Sequence, residues 1–174
     1  MAPSITDIPG VLVGHASDEP GGTGCTVVLA PWDGMPCTAF VRGRATGSRE
    51  LDTCRPESLA GRVDAVLLAG GSAYGLAAAD GVARWLTAQG RGYPVGPGTI
   101  PIVPAAVVFD LAPCGRFDAR PDAALGEAAC AAAGRDVAEG SVGAGTGATV
   151  GKALGPGRAM KGGVGTWSVR VGDL

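Results

Sequence analysis

A single histidine, His15, stands among the 174 residues of this chain. Ser-His-Asp and Cys-His arrangements need an imidazole as general base. A lone histidine at the end of a predicted strand is most often satisfied by backbone, so these triads are disfavoured. The five cysteines (Cys25, Cys37, Cys54, Cys114 and Cys130) are widely spaced and contain no C-x-x-C. That spacing argues against a zinc site and for free thiols in a reducing compartment. Charged residues make up only 17% of the chain, and the net charge is −2 with no Lys/Arg cluster, which disfavours nucleic acid as a partner. No apolar window approaches the length of a membrane span. The opening Met-Ala-Pro-Ser-Ile-Thr-Asp lacks the basic flank and apolar run of a signal peptide, so a cytoplasmic location is expected.

Nucleotide-binding loops are also missing. In Gly70-Gly-Ser-Ala-Tyr-Gly75, Ser72 occupies the place of the second glycine of a dinucleotide fingerprint. Gly143-Ala-Gly-Thr-Gly-Ala148 matches G-x-G-x-x-A, but Thr-Val-Gly-Lys is a poor helix start. No acidic residue follows at the ribose position about twenty residues on. The phosphate-loop pattern G-x-x-x-x-G-K-[ST] does not occur, and no cofactor or metal is expected.

What is present is 46% hydrophobic residues interleaved with 31 glycines, which suits one domain of short strands and tight turns. Strands are predicted over 11–15, 24–29, 37–42, 63–69 and 106–109, with residues 101–105 as an edge or irregular segment because of Pro101 and Pro104. A helix is predicted over 73–89, capped by Ser72 and stopped by Gly90, with Leu76, Ala79, Ala83 and Leu86 on one face. A second, small-residue helix is predicted over 122–133 between Pro121 and Gly134. Residues 141–151 read as a glycine-rich turn. Alternating Trp167, Val169 and Val171 predict a strand over 163–174. Two helices among several strands suit helices packed on a sheet, not a βαβ series.

The Gly70-Gly71-Ser72-Ala73-Tyr74 turn is where backbone N–H groups and a phenol can face developing negative charge. Met160-Lys-Gly-Gly-Val-Gly-Thr166 can present the Lys161 ammonium to a carboxylate or oxyanion. Taken singly, Tyr74 reads more often as a buried phenol hydrogen-bonded to backbone, and Lys161 as a solvated turn lysine. Ser141 and Thr146 read as ordinary turn residues.

In order along the chain come Ile5-Thr-Asp-Ile-Pro-Gly-Val-Leu-Val-Gly-His15, Gly24-Cys-Thr-Val-Val28, Leu68-Ala-Gly-Gly-Ser-Ala-Tyr-Gly75, Ala79-Asp-Gly81, Pro101-Ile-Val-Pro-Ala-Ala-Val-Val-Phe-Asp110, Gly140-Ser-Val-Gly-Ala-Gly-Thr-Gly147 and Lys161-Gly-Gly-Val-Gly-Thr166. This ordered set resembles the DmpA-type self-processing L-aminopeptidase/D-esterase family, whose relatives include β-peptidyl aminopeptidases and nylon-oligomer hydrolase. The resemblance covers nearly the whole chain.

The resemblance implies an α/β fold, an αββα four-layer sandwich of the type shared with ornithine acetyltransferases, incomplete without a C-terminal partner segment. It implies a Ser/Thr N-terminal nucleophile whose α-amine, with a pKa near about 8, serves as base. That nucleophile would lie on the partner segment, since the family's nucleophile segment has no match here. Small peptides, amides or esters would be the substrates, in a homo-oligomer of such units. Tyr74, Ser141 and Lys161 would be the catalytic group in this chain, and Gly70, Gly71, Ser72 and Thr146 would shape substrate binding. Ser141 stands where some relatives carry Asn, so one hydroxyl donor replaces an amide's two. An acyltransferase of the ornithine acetyltransferase type and a non-catalytic assembly subunit remain open alternatives.

Overall fold

The computed structural model describes residues 3–172. Its centre is a five-stranded sheet in the order β1-β2-β4-β7-β3. The strands are β1 (Leu12–Asp18), β2 (Thr23–Leu29), β3 (Ser48–Arg49), β4 (Ala65–Ala69) and β7 (Ala105–Val107). A hairpin of β5 (Tyr93–Val95) and β6 (Gly98–Ile100) lies outside this sheet, as does the pair β8 (Thr149–Val150) and β9 (Met160–Lys161). β1, β2 and β4 pair antiparallel, and β4 pairs parallel with β7. That parallel pair needs a crossover, supplied by α1 (Ala78–Ala88) together with the β5–β6 hairpin.

Residue alternation divides the sheet into two faces. Cys25, Val27, Leu29, Ala65, Leu67 and Ala69 point one way and are buried with Ala79, Val82 and Leu86 of α1 and Ala129 and Cys130 of α2 (Ala123–Ala131). Each fully buried Leu or Val contributes about 1.5–3 kcal/mol. The small residues of α2 serve close packing, as expected. A Cβ on Gly126 would overlap the Ala78 carbonyl, and one on Gly81 would overlap that of Ala123. On the opposite face lie Val13, His15, Thr26, Val28 and Leu68, and Leu68 is 39% exposed. The described residues thus form one helical layer on one sheet layer.

Four expectations are corrected. Residues 37–42 form no strand; the segment is largely exposed, and Phe40 at 88% exposure packs on nothing. The predicted strand over 163–174 is reduced to a bridge between Gly140 and Val164 within the described residues, and Trp167, Val169 and Val171 stay exposed. Alternation makes a strand only where a neighbour supplies the ladder. Ser72 is not a helix cap: Gly71 (φ 76°) holds that place, and a 3₁₀ turn Ser72–Ala77 precedes α1. The strand expected at 106–109 is Ala105–Val107, an interior strand between β4 and β3. No helix among the described residues is long and apolar enough to cross a membrane.

Candidate active site

Two glycine loops converge at one end of the sheet, where β1, β4 and β7 finish and β2 begins. The first follows β4. Gly70 N–H donates to the Gly24 carbonyl at 2.8 Å and Ser72 N–H to the Val108 carbonyl at 3.0 Å, so β2 and the chain beyond β7 grip the turn. Gly71 N–H donates to Oδ1 of Asp110 at 2.6 Å, and Thr23 Oγ1 donates to Oδ2 at 2.7 Å. Asp110 is 1% exposed. Gly71 must be glycine: its φ is positive, and a Cβ there would stand 2.8 Å from Pro121 Cδ. Ser72 shares the left-handed conformation at φ 54°, a cost of order 1 kcal/mol for a residue with a Cβ.

This strained turn presents Tyr74, which is 55% exposed. Its ring is covered by the Arg120 guanidinium, whose carbon lies 3.6 Å from the ring centroid. The phenol is therefore a wall of an open surface and not a buried core group.

The second loop, around Gly143–Gly145, holds Ser141 and Thr146, and Lys161 of β9 reaches it. Gly143 N–H donates to Ser17 Oγ at 2.8 Å and Ala144 N–H to Thr26 Oγ1 at 3.0 Å. Thr146 Oγ1 donates to the Gly143 carbonyl at 2.7 Å, and the Lys161 ammonium donates to the Thr146 carbonyl. Lys161 and Thr146 are therefore in direct contact. Ser141 is exposed at the loop's entrance, beside the paired Gly140 and Val164. No hydrogen bond among the described residues links Tyr74 to Ser141 or Lys161. The loops meet instead at Asp110, because a Cβ on Gly147 would lie 2.8 Å from Asp110 Cβ and one on Gly70 would overlap Oδ2.

His15 lies in the middle of β1, not at a strand end, and its hydrogen-bond partner is a side chain and not the expected backbone. Nδ1 lies 2.9 Å from Thr26 Oγ1, and Nε2 is buried without a partner. Burial lowers the His15 pKa, with a nearby Ala138 backbone carbonyl opposing the shift. The ring sits at the base of a cleft of about 290 Å³ on the sheet face away from the helices, floored by Val13, Val28 and Leu68. The cysteines are free. Burial pushes the Cys25 and Cys130 thiols up to about 12 and Cys37 up to about 11, so none of these three is a ready thiolate. The described residues hold no His/Cys/Asp/Glu group that could bind a metal ion.

Asp110, Arg120 and Ser17 were not singled out in the sequence. Asp110 carried the one available signal, a carboxylate ending an apolar run beside glycine turns. Arg120 carried none, because its neighbourhood with Tyr74 is made by tertiary packing.

An uncharacterized aminopeptidase of Mycobacterium tuberculosis is 52% identical over 176 residues, covering 97% of this chain and 48% of its own length. A 6-aminohexanoate-oligomer endohydrolase of Kocuria sp. is 37% identical, covering 84% of this chain and 38% of its own length. The chain thus spans about half the length, or less, of the relatives it matches. Among solved structures, a Burkholderia beta-aminopeptidase superposes with a TM-score of 0.60 at 28% identity, covering 84% of this chain and 43% of that one. The L-aminopeptidase D-Ala-esterase/amidase of Ochrobactrum anthropi, described as a variant of the Ntn hydrolase fold, superposes with a TM-score of 0.64 at 20% identity, covering 84% of this chain and 45% of that one. The latter likeness speaks for the fold alone. The profile of peptidase family S58 matches residues 3–173, and the chain belongs to that family.

Proposed function

We propose that this chain is the sheet-and-helix half of an amide- and ester-cleaving aminopeptidase. The nucleophile, a Ser or Thr at the N-terminus of a second segment, lies outside it. The convergence of both glycine loops on Asp110, beside a sheet face that the helices leave uncovered, carries this reading. Such an arrangement offers a phenol and an ammonium on rigidly held loops, next to the surface on which the second segment would dock.

In the reaction, the hydroxyl oxygen of that nucleophile attacks the substrate carbonyl while its own α-amine takes the proton. The carbonyl oxygen gains negative charge, and Tyr74 O–H donates a hydrogen bond to it. Collapse breaks the C–N or C–O bond, the leaving group takes the proton, and water then releases the acyl group by the same route. Gly70, Gly71 and Ser72 shape the wall that carries Tyr74. Lys161, held by the Thr146 carbonyl, and Ser141 orient the nucleophile from the second loop. Small peptides, amides or esters are the substrates of this site, and several such units assemble as a homo-oligomer in the cytoplasm.

The test is isolation of the native assembly through an affinity tag on this chain, with intact-mass measurement and an assay on L-alanine p-nitroanilide. A second polypeptide beginning with Ser or Thr, together with release of p-nitroaniline, is the expected result. A lone 17.0 kDa chain that cleaves no anilide, amide or ester overturns the reading.

A further inference from the structure

Arg120 occupies an unusual position beside Tyr74. Its backbone packs against the first glycine loop, since a Cβ on Gly71 would lie 3.4 Å from Arg120 Cα. Its guanidinium carbon lies over the Tyr74 ring, 3.6 Å from the centroid, and 5.4 Å from the ring centroid of Phe117, which is 64% exposed. Nε donates to the Phe117 carbonyl at 3.2 Å, which fixes the plane. The terminal Nη groups make no hydrogen bond or ion pair among the described residues, although the neighbouring acids are near in sequence. Asp118 is paired with Arg116, and Asp122 caps α2 through the Leu125 N–H. Stacking covers a face of the guanidinium but leaves its in-plane N–H edge open, the edge that receives carboxylates in bidentate fashion.

We infer that Arg120 is a specificity-determining residue that binds a free carboxylate of the substrate next to Tyr74. The preferred substrates are then short amides bearing a carboxylate, such as dipeptides, over amidated or uncharged counterparts. This inference rests on the proposed hydrolytic site at Tyr74. An immobilised cation in a partly desolvated rim provides a charge-assisted contact that an amide terminus cannot match. Lysine cannot reproduce the fork or the stack.

The experiment uses the native assembly with alanylglycine and alanylglycinamide as a matched pair. The wild type is expected to favour the free acid in kcat/KM by about 10- to 100-fold, mainly through KM. Arg120→Met is expected to collapse that ratio towards one, and Arg120→Lys to restore part of it. A wild-type ratio near one, or a ratio unmoved by Arg120→Met, overturns the inference. A second measurement does not depend on turnover: modification of Arg120 by phenylglyoxal, mapped by mass spectrometry, with each dipeptide as protectant. Protection by the acid and not by the amide supports the carboxylate site even if the assembly cleaves neither, in which case the hydrolytic reading alone fails. Equal protection by both, or none, overturns the site.

Discussion

Gly71 donates its backbone N–H to the buried Asp110 carboxylate at 2.6 Å, across 39 positions of sequence. The second oxygen of the same carboxylate accepts from Thr23 at 2.7 Å. One side chain from beyond β7 thereby fixes the turn after β4 to the start of β2, and Gly147 of the other loop packs against it.

Asp110→Ala strands the Gly71 N–H and the Thr23 hydroxyl in a buried site, at about 1–3 kcal/mol for each unsatisfied donor. Asp110→Asn keeps an oxygen for Gly71 and can turn its amide towards Thr23. Urea unfolding should therefore rank the losses Ala well above Asn, with Ala at about 3 kcal/mol and Asn nearer about 1 kcal/mol. An alanine variant within about 0.5 kcal/mol of wild type would remove Asp110 as the anchor.

This anchor lies at the border of what the sequence made legible. The helices and β1, β2 and β4 could be read because apolar runs and glycine stops coincide there with real burial, as at Val27, Leu67 and Leu86. The segment holding Phe40 and the one holding Trp167, Val169 and Val171 carry the same apolar signal. Ladders require a second strand, which local pattern does not report. Tyr74 and Lys161 were expected as candidate site residues beside glycine turns, and Thr146 as a turn residue. The dependence of both turns on Asp110, and the Arg120 cover on Tyr74, are made by contacts distant in sequence.

His15 makes stability depend on pH in a defined direction. Burial lowers its pKa below the ordinary value of 6.5. The unfolded chain then binds more protons than the folded one once pH falls below that value. Its contribution is fully present above pH 6.5 and is lost as pH falls towards the lower folded value. Unfolding measured across about pH 7.5 to 5.5 should show stability falling for wild type, and falling less for His15→Gln. Identical slopes for the two proteins would mean that the ring does not titrate differently on folding.

The thiols sort by environment. Cys114 is exposed, whereas Cys25 and Cys130 are buried and held protonated with values pushed up to about 12. Iodoacetamide at about pH 8 requires thiolate and access, so Cys114 should react in the native protein while Cys25 and Cys130 wait for unfolding. Peptide mapping after timed quenching reads this directly. Early labelling of Cys25 would show that the α2–sheet interface opens locally.

Tyr74→Phe isolates the phenol oxygen, because the ring that lies under Arg120 remains in place. The hydroxyl makes no hydrogen bond among the described residues, so stability should stay within about 0.5 kcal/mol of wild type. Turnover should respond differently. If the hydroxyl is one of several donors to the oxyanion, kcat/KM of the native assembly should fall by about 10- to 100-fold, with most of the loss in kcat because the charge develops only in the transition state. A fall confined to KM would assign Tyr74 to ground-state binding beside Arg120. An unchanged kcat/KM would remove the phenol from the chemistry and leave the glycine turn beneath it with a purely architectural role.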